Sequence, residues 1–186
     1  MILEKKIYTE VKQRCMASTN AYGIGAWDHH IKIVYDLAKK YANEYGADLE
    51  IVALAALLHD VASVTDVNFT EEHHIIGADI AEELLLKENY PIERIELIKK
   101  CILNHRGSRL MEKNSPEEIC IADSDAMAHF YSIPSLLSMV YREKGLSIDE
   151  GSKFVLEKLD RSYNKMSEKG KILVKKQYDS AKNILK

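Results

Sequence analysis

Apolar positions along the chain recur at helical spacing. In "HIKIVYDLAKKYANEY", residues 30–45, Ile31, Val34, Tyr35, Ala38 and Tyr41 fall on one face at i, i+3, i+4, i+7 intervals, which predicts an amphipathic helix. "DLEIVALAALLHDVA" (48–62) is apolar almost all round and predicts a buried central helix with His59 and Asp60 near its end. "HIIGADIAEELLLKEN" (74–89) predicts another helix, stopped by the Asn89–Tyr90–Pro91 run. "PIERIELIKKCILNH" (91–105) places proline at a first helical position and repeats Ile92, Ile95, Ile98 and Ile102. "SPEEICIADSDAMAHFYSI" (115–133) opens with a capping serine, a proline and two first-turn acids. "SIPSLLSMVY", from Ser132, predicts a helix that packs either on the domain or on a second chain. The tail from Ser147 predicts two more helices, with Gly170 as the interruption. No segment alternates convincingly with period 2, so the fold class expected is all-α. The irregular loops fall at 19–27, 63–72 and 106–114.

Composition narrows the function without naming it. A chain of 186 residues with 46% apolar and 30% charged positions is long enough for one domain over 1–186 with its own core. The net charge of −3 and pI near 6.2, with no basic stripe, argue against a nucleic-acid polymer as partner. No run approaches the ~18 apolar residues of a membrane span, and "MILEKKIYTEVKQRC" lacks the apolar stretch of a secretory signal. No membrane partner and a cytoplasmic location are expected. Cys15, Cys101 and Cys120 are scattered, with no CxxC; they read as reduced thiols and exclude a cysteine-rich zinc site.

The chemistry lies in the histidines. Seven occur, and His29, His30, His59, His73, His74 and His105 stand near predicted helix ends, with Asp123 and Asp125 inside the following helix. Antiparallel packing would bring those ends to one rim. Imidazole and carboxylate without thiolate suit a divalent cation: Mn²⁺, Fe²⁺, Co²⁺, Mg²⁺, Ni²⁺ or Zn²⁺. A carboxylate at Asp60, in so apolar a helix, carries a large desolvation cost unless it is paired or coordinates a metal.

"WDHHIKIVYDLA", "LLHDVAS", "HHIIGADIAEELL", "ILNHRGS" and "SPEEICIADSDAMA" resemble, in order and context, the successive motifs of the HD-domain metal-dependent phosphohydrolases, over roughly residues 20–130. The resemblance implies an HD-domain helical bundle, with the C-terminal helices from 131 to 186 packing on the motif-bearing core. It matches His30 to the first ligand, His59 and Asp60 to the defining pair, His73 and His105 to the downstream histidines, and Asp125 to the last aspartate. His29 is then a neighbour of the site, and His74 is the weaker alternative to His73. Asp123 matches the first acid of its triplet, a residue that orients water or acts as general base beside Asp60. One ion would be held by His30, His59, Asp60 and Asp125. If His73 and His105 hold a second, Asp60 is the natural bridge. Two departures stand out: Ala128 where relatives often carry aspartate, and Ser63 where some branches carry a lysine.

Phosphate needs cationic donors, and "NHRGSR" offers Arg106 and Arg109 around Gly107, with Lys32 as a further possibility. Tyr22 and Trp27 are candidates to stack on a base; for Trp27 a core role competes. The expected activity is metal-dependent hydrolysis of a nucleotide or other small phosphate ester, with a homodimer left open. The alternatives are a di-iron oxygenase using the same ligands and a non-catalytic metal or nucleotide sensor.

Overall fold

The structure, a computed structural model, describes residues 2–23, 25–106 and 113–186. Among these residues ten α-helices and no strand occur, as helical spacing requires. The chain divides into two compact units, Met1–Ala122 and Asp123–Lys186.

The first unit is built around α3 (Leu49–Leu58), whose residues from Ile51 onward are all buried. Asp48 starts this helix by accepting from the amides of Glu50 (2.9 Å) and Ile51 (3.1 Å). Three helices pack on α3: α1 (Ile2–Cys15), α2 (Lys32–Tyr45) and α6 (Ile92–Asn104). The hairpin partner of α6 is α5 (His73–Lys87), the two joined by a tight turn in which Asn89 adopts a positive φ of 55°. Helix α2 ends at Gly46, whose left-handed φ of 70° no other residue type adopts as readily.

The buried segment from Asp48 does not run on as one helix. Helix α3 stops at Leu58, and a separate short helix, α4 (Val61–Thr65), follows after Asp60. The break comes from Asp60, which takes φ −112°, ψ 18° in the sparsely populated bridge region. No glycine or proline marks it, so hydrophobic spacing alone reads straight through. Helix α4 also occupies the first part of the loop expected at 63–72, and a 3₁₀ turn, Val67–Phe69, a later part. A second irregularity precedes α2: Trp27–Ile31 forms a π turn that leads directly into it. Such turns insert an extra residue and re-aim the side chains they carry.

Helix α7 (Pro116–Tyr131) contains the division between the units, and Ser115 caps it by accepting from the Glu118 amide at 3.2 Å. The second unit also contains α8 (Ile133–Arg142), α9 (Ile148–Lys165) and α10 (Glu168–Ile184). Helix α9 starts with a capping box between Ser147 and Glu150. Gly170 does not interrupt the tail: it lies inside the first turn of α10, and the break falls at Met166–Ser167 instead. The glycine answers a packing need, because a Cβ there would come within 2.5 Å of an Asp123 carboxylate oxygen.

Candidate metal centre

Four segment ends of the first unit deliver their side chains to one place. His30 comes from the π turn, His59 and Asp60 from the α3–α4 junction, His73 from the start of α5 and His105 from the end of α6. Nε2 of His59 stands 3.2 Å from Nε2 of His30, and Nε2 of His73 stands 3.3 Å from Nε2 of His105. Asp60 lies between these pairs. Its Oδ2 is 3.3 Å from His30 and 3.5 Å from His59; its Oδ1 is 3.5 Å from His73 and 3.7 Å from His105. Two three-donor sets result, His30–His59–Asp60 and Asp60–His73–His105, sharing one carboxylate.

The same bonds that finish the helices fix the imidazoles. Nδ1 of His59 bonds the Ala56 carbonyl (2.7 Å), Nδ1 of His73 that of Thr70 (2.7 Å) and Nδ1 of His105 that of Ile102 (2.5 Å). For His59 and His105 the acceptor is a last-turn carbonyl that the helix itself leaves without a donor. A carbonyl only accepts, so Nδ1 of each ring carries the proton and Nε2 keeps its lone pair. His73 and His105 therefore face each other through Nε2 across 3.3 Å, a contact that a proton on one ring or a cation between the two satisfies.

The donor set fits a divalent ion. Donors about 2.0–2.2 Å from one ion stand roughly 3.0–3.6 Å from each other; within the two sets the separations run from 3.2 to 3.7 Å, the longest being His105 to Asp60. Neutral imidazole with bridging carboxylate is N/O ligation without sulfur. The cysteine whose ionisation Asp60 affects, Cys15, stays a thiol: burial and then the Asp60 charge push it up to about 12. Asp60 itself is buried, which alone would raise its pKa. Positive charge facing it, carried by the His59, His30 and His105 rings when they are protonated, outweighs that and holds it well below the ordinary carboxylate range, the role a bound cation would fill with the rings neutral.

The other sequence-selected residues sort as follows. His29 is exposed, and His74 is buried beside the His73 ring but belongs to neither donor set. Arg106 donates to the Glu71 carbonyl at 2.9 Å, just ahead of α5. Arg109 and Gly107 lie outside the described residues. Lys32 is paired with Asp36 on its own helix at 2.5 Å. Trp27 does not face solvent for stacking on a base. It is 1% exposed and packs edge-on against Tyr8 with ring centroids 4.6 Å apart, because its large apolar surface completes the α1–α2 core.

Asp123 and Asp125 are described with the second unit. There Asp123 accepts from the Ser167 amide at 3.0 Å and from its hydroxyl, holding the residue that caps α10. Asp125 accepts from Lys165 Nζ at 3.3 Å. Sequence reasoning overlooked Lys165 and the three carbonyls that orient the histidines. Spacing within a helix could have suggested the carbonyls, each three residues ahead of its histidine, whereas nothing local marks Lys165.

This all-α architecture carries a shared-carboxylate histidine cluster whose donors could hold a metal, and comparison with known proteins gives the family. The HD-domain family matches residues 27–129, and the chain belongs to it. The family is broadly one of metal-dependent phosphohydrolases. Among curated proteins the chain is similar to Ribonuclease Y of Petrotoga mobilis (28% identical over 108 residues) and of Thermotoga maritima (30% over 108 residues). In both cases the match takes 58% of this chain but only 19% of the relative, so the chain spans about a fifth of their length. Among solved structures it resembles Bacillus subtilis YpgQ, determined in complex with ADP, with TM-score 0.66, 20% identity and coverage of 95% of this chain and 90% of that one. A Lactobacillus plantarum protein gives TM-score 0.67 at 17% identity, covering 99% and 93%. Among the described residues, no helix is long and apolar enough to cross a membrane.

Proposed function

We propose that the chain is a metal-dependent phosphohydrolase acting on a nucleotide or other small phosphate ester, with two ions bridged by Asp60. The observation that carries this reading is the split of the Asp60 carboxylate, one oxygen toward the His30–His59 pair and the other toward His73–His105. Asp125 is proposed as a further ligand on the sequence resemblance. His30, His59, Asp60, His73 and His105 would hold the divalent metal, which when bound would neutralise phosphoryl charge and lower the pKa of water.

The chain's own residues do the rest. The carbonyl-bound imidazoles present preset lone pairs, so little reorganisation is needed on loading. Buried surroundings keep the field of Asp60 strong and exclude bulk water. Arg106, at the α6 end beside His105, is the proposed cationic contact for the phosphate. Asp123 is proposed to orient water through its carboxylate, a role to be separated from its hold on Ser167.

The small-substrate reading draws support from the net charge of −3, which offers a polyanion little attraction, and from a structural relative solved with ADP. Protein loaded with Mn²⁺ or Co²⁺ is assayed for phosphate release from a panel of nucleotides, sugar phosphates and a short RNA. Metal-stimulated release from the small esters is expected, reduced at least a thousandfold by Asp60→Asn. No release from any member, or equal activity in that variant, removes the proposal; cleavage confined to the RNA reassigns the substrate. The shared carboxylate also suits a di-iron oxygenase, which substrate-dependent O₂ uptake by anaerobically iron-loaded protein would reveal.

A further inference from the structure

Ser63 and the loop before His30 play no part in the chemistry above, yet they are joined in a specific way. Ser63 is fully buried on α4, three residues past Asp60. Asp60 is the residue that precedes α4 and Ser63 lies in its first turn, so the bridging carboxylate and the Ser63 hydroxyl leave the chain within one turn of each other. Tyr22 donates its hydroxyl to Ser63 Oγ at 3.2 Å. The loop is tied to the same helix by the Ala21 amide on the Ser63 carbonyl (3.0 Å) and by Thr19 Oγ1 on the Thr65 carbonyl (2.7 Å).

The loop is also preset from within. Buried Asn20 donates to the carbonyls of Cys15 (2.8 Å) and Gly23 (2.9 Å) and accepts from the Tyr22 amide (2.8 Å). Tyr22 is thus held at both its backbone and its hydroxyl while the residue remains 43% exposed. Trp27, the other aromatic near the site, is sealed in the core. His30, eight residues after Tyr22, is the most exposed member of the donor set, at 20%.

We infer that Tyr22 is the platform on which the aromatic base of a nucleoside phosphate stacks, and that Ser63 positions it. The inference rests on the phosphohydrolase reading and narrows its substrate class to esters that carry a base. A ring held at both ends loses little freedom on binding, so stacking is gained at low entropic cost. Tyrosine stacks on any base, so the platform selects nucleotides as a class and does not discriminate among them.

The test compares a purine nucleoside triphosphate with inorganic tripolyphosphate, using the Mn²⁺-loaded full chain. Tyr22→Leu is expected to lower the preference for the nucleotide about tenfold, through KM more than kcat. Tyr22→Phe, which keeps the ring face, retains most of the preference. Ser63→Ala shifts KM in the same direction by a smaller factor, and Ser63→Thr restores it. Bound metal, measured by plasma mass spectrometry, stays at the wild-type level throughout. An unchanged preference in Tyr22→Leu, or equal losses on both substrates, overturns the platform while leaving the hydrolase reading intact. Should the wild type hydrolyse neither compound, that reading fails separately. Calorimetric titration with the same two compounds then decides the platform, and equal nucleotide affinity in wild type and Tyr22→Leu overturns it.

Discussion

At the scale of single residues, one kind of bond serves two purposes. A histidine at a helix C-terminus gives its Nδ1 proton to a carbonyl of the last turn, which satisfies that carbonyl and simultaneously turns Nε2 outward as a donor. His59 and His105 both do this, and Asp60 collects their Nε2 atoms with those of His30 and His73. Because the two donor sets share only Asp60, they can be emptied separately. His73→Ala is expected to lower bound metal from two ions to one per chain, and His30→Ala to lower it likewise from the other set. Asp60→Asn should lose both. Plasma mass spectrometry on protein dialysed against trace Mn²⁺ reads the stoichiometry. One ion in the wild type, with His73→Ala indifferent, would refute the binuclear arrangement.

At the scale of elements, much of the fold was legible, and the exceptions have physical causes. Long amphipathic stretches such as 32–45 and 92–104 read directly, because a 3.6-residue apolar period has few other solutions. The break at Asp60 did not, since it lies in that residue's non-helical backbone conformation and no glycine or proline marks it. Gly170 misled for the opposite reason: it is small to admit Asp123, and its own turn stays helical. Of the candidate site, the family resemblance picked out His30, His59, Asp60, His73 and His105, whereas the Tyr22–Ser63 bond joins residues 41 apart with no local signature.

Helix α3 tests the argument at its start, where Asp48 both caps the helix and meets Arg94 at 3.1 Å. Burial pushes the Asp48 carboxyl up, but Arg94 and the amides of Ile51 and Glu50 more than offset this and hold it below the ordinary value of 3.8. A carboxylate depressed on folding stabilises the fold above its unfolded pKa, and that contribution fades as pH falls from about 3.8 through the lower folded value. Asp48→Ala should therefore cost about 1 kcal/mol at pH 7, with the gap to wild type narrowing in acid. Asp48→Asn keeps a capping oxygen and removes only the charge; with the side chain 41% exposed, its cost should be under about 0.5 kcal/mol. Urea unfolding at pH 7 and pH 3 separates the two, and a pH-independent gap for Asp48→Ala would show that the ionised form contributes nothing.

At the scale of the whole molecule, the centre couples metal to folding, because its donors come from segments that only the tertiary structure assembles. Residues 30, 59, 60, 73 and 105 span much of the first unit, Met1–Ala122, and the unfolded chain cannot present them together. An ion that binds only the folded state stabilises it by RT ln(1 + [L]/Kd), about 2.7 kcal/mol at a hundredfold excess over Kd. For a chain of this size that corresponds to a rise in Tm of roughly 5–10 °C. Removal of metal by a chelator should lower Tm by the same amount. Asp60→Asn separates this coupling from general ionic effects. In that variant, scanning calorimetry with and without Mn²⁺ should show a shift of less than about 2 °C. A variant that gains as much as the wild type would place the stabilising ion elsewhere in the chain.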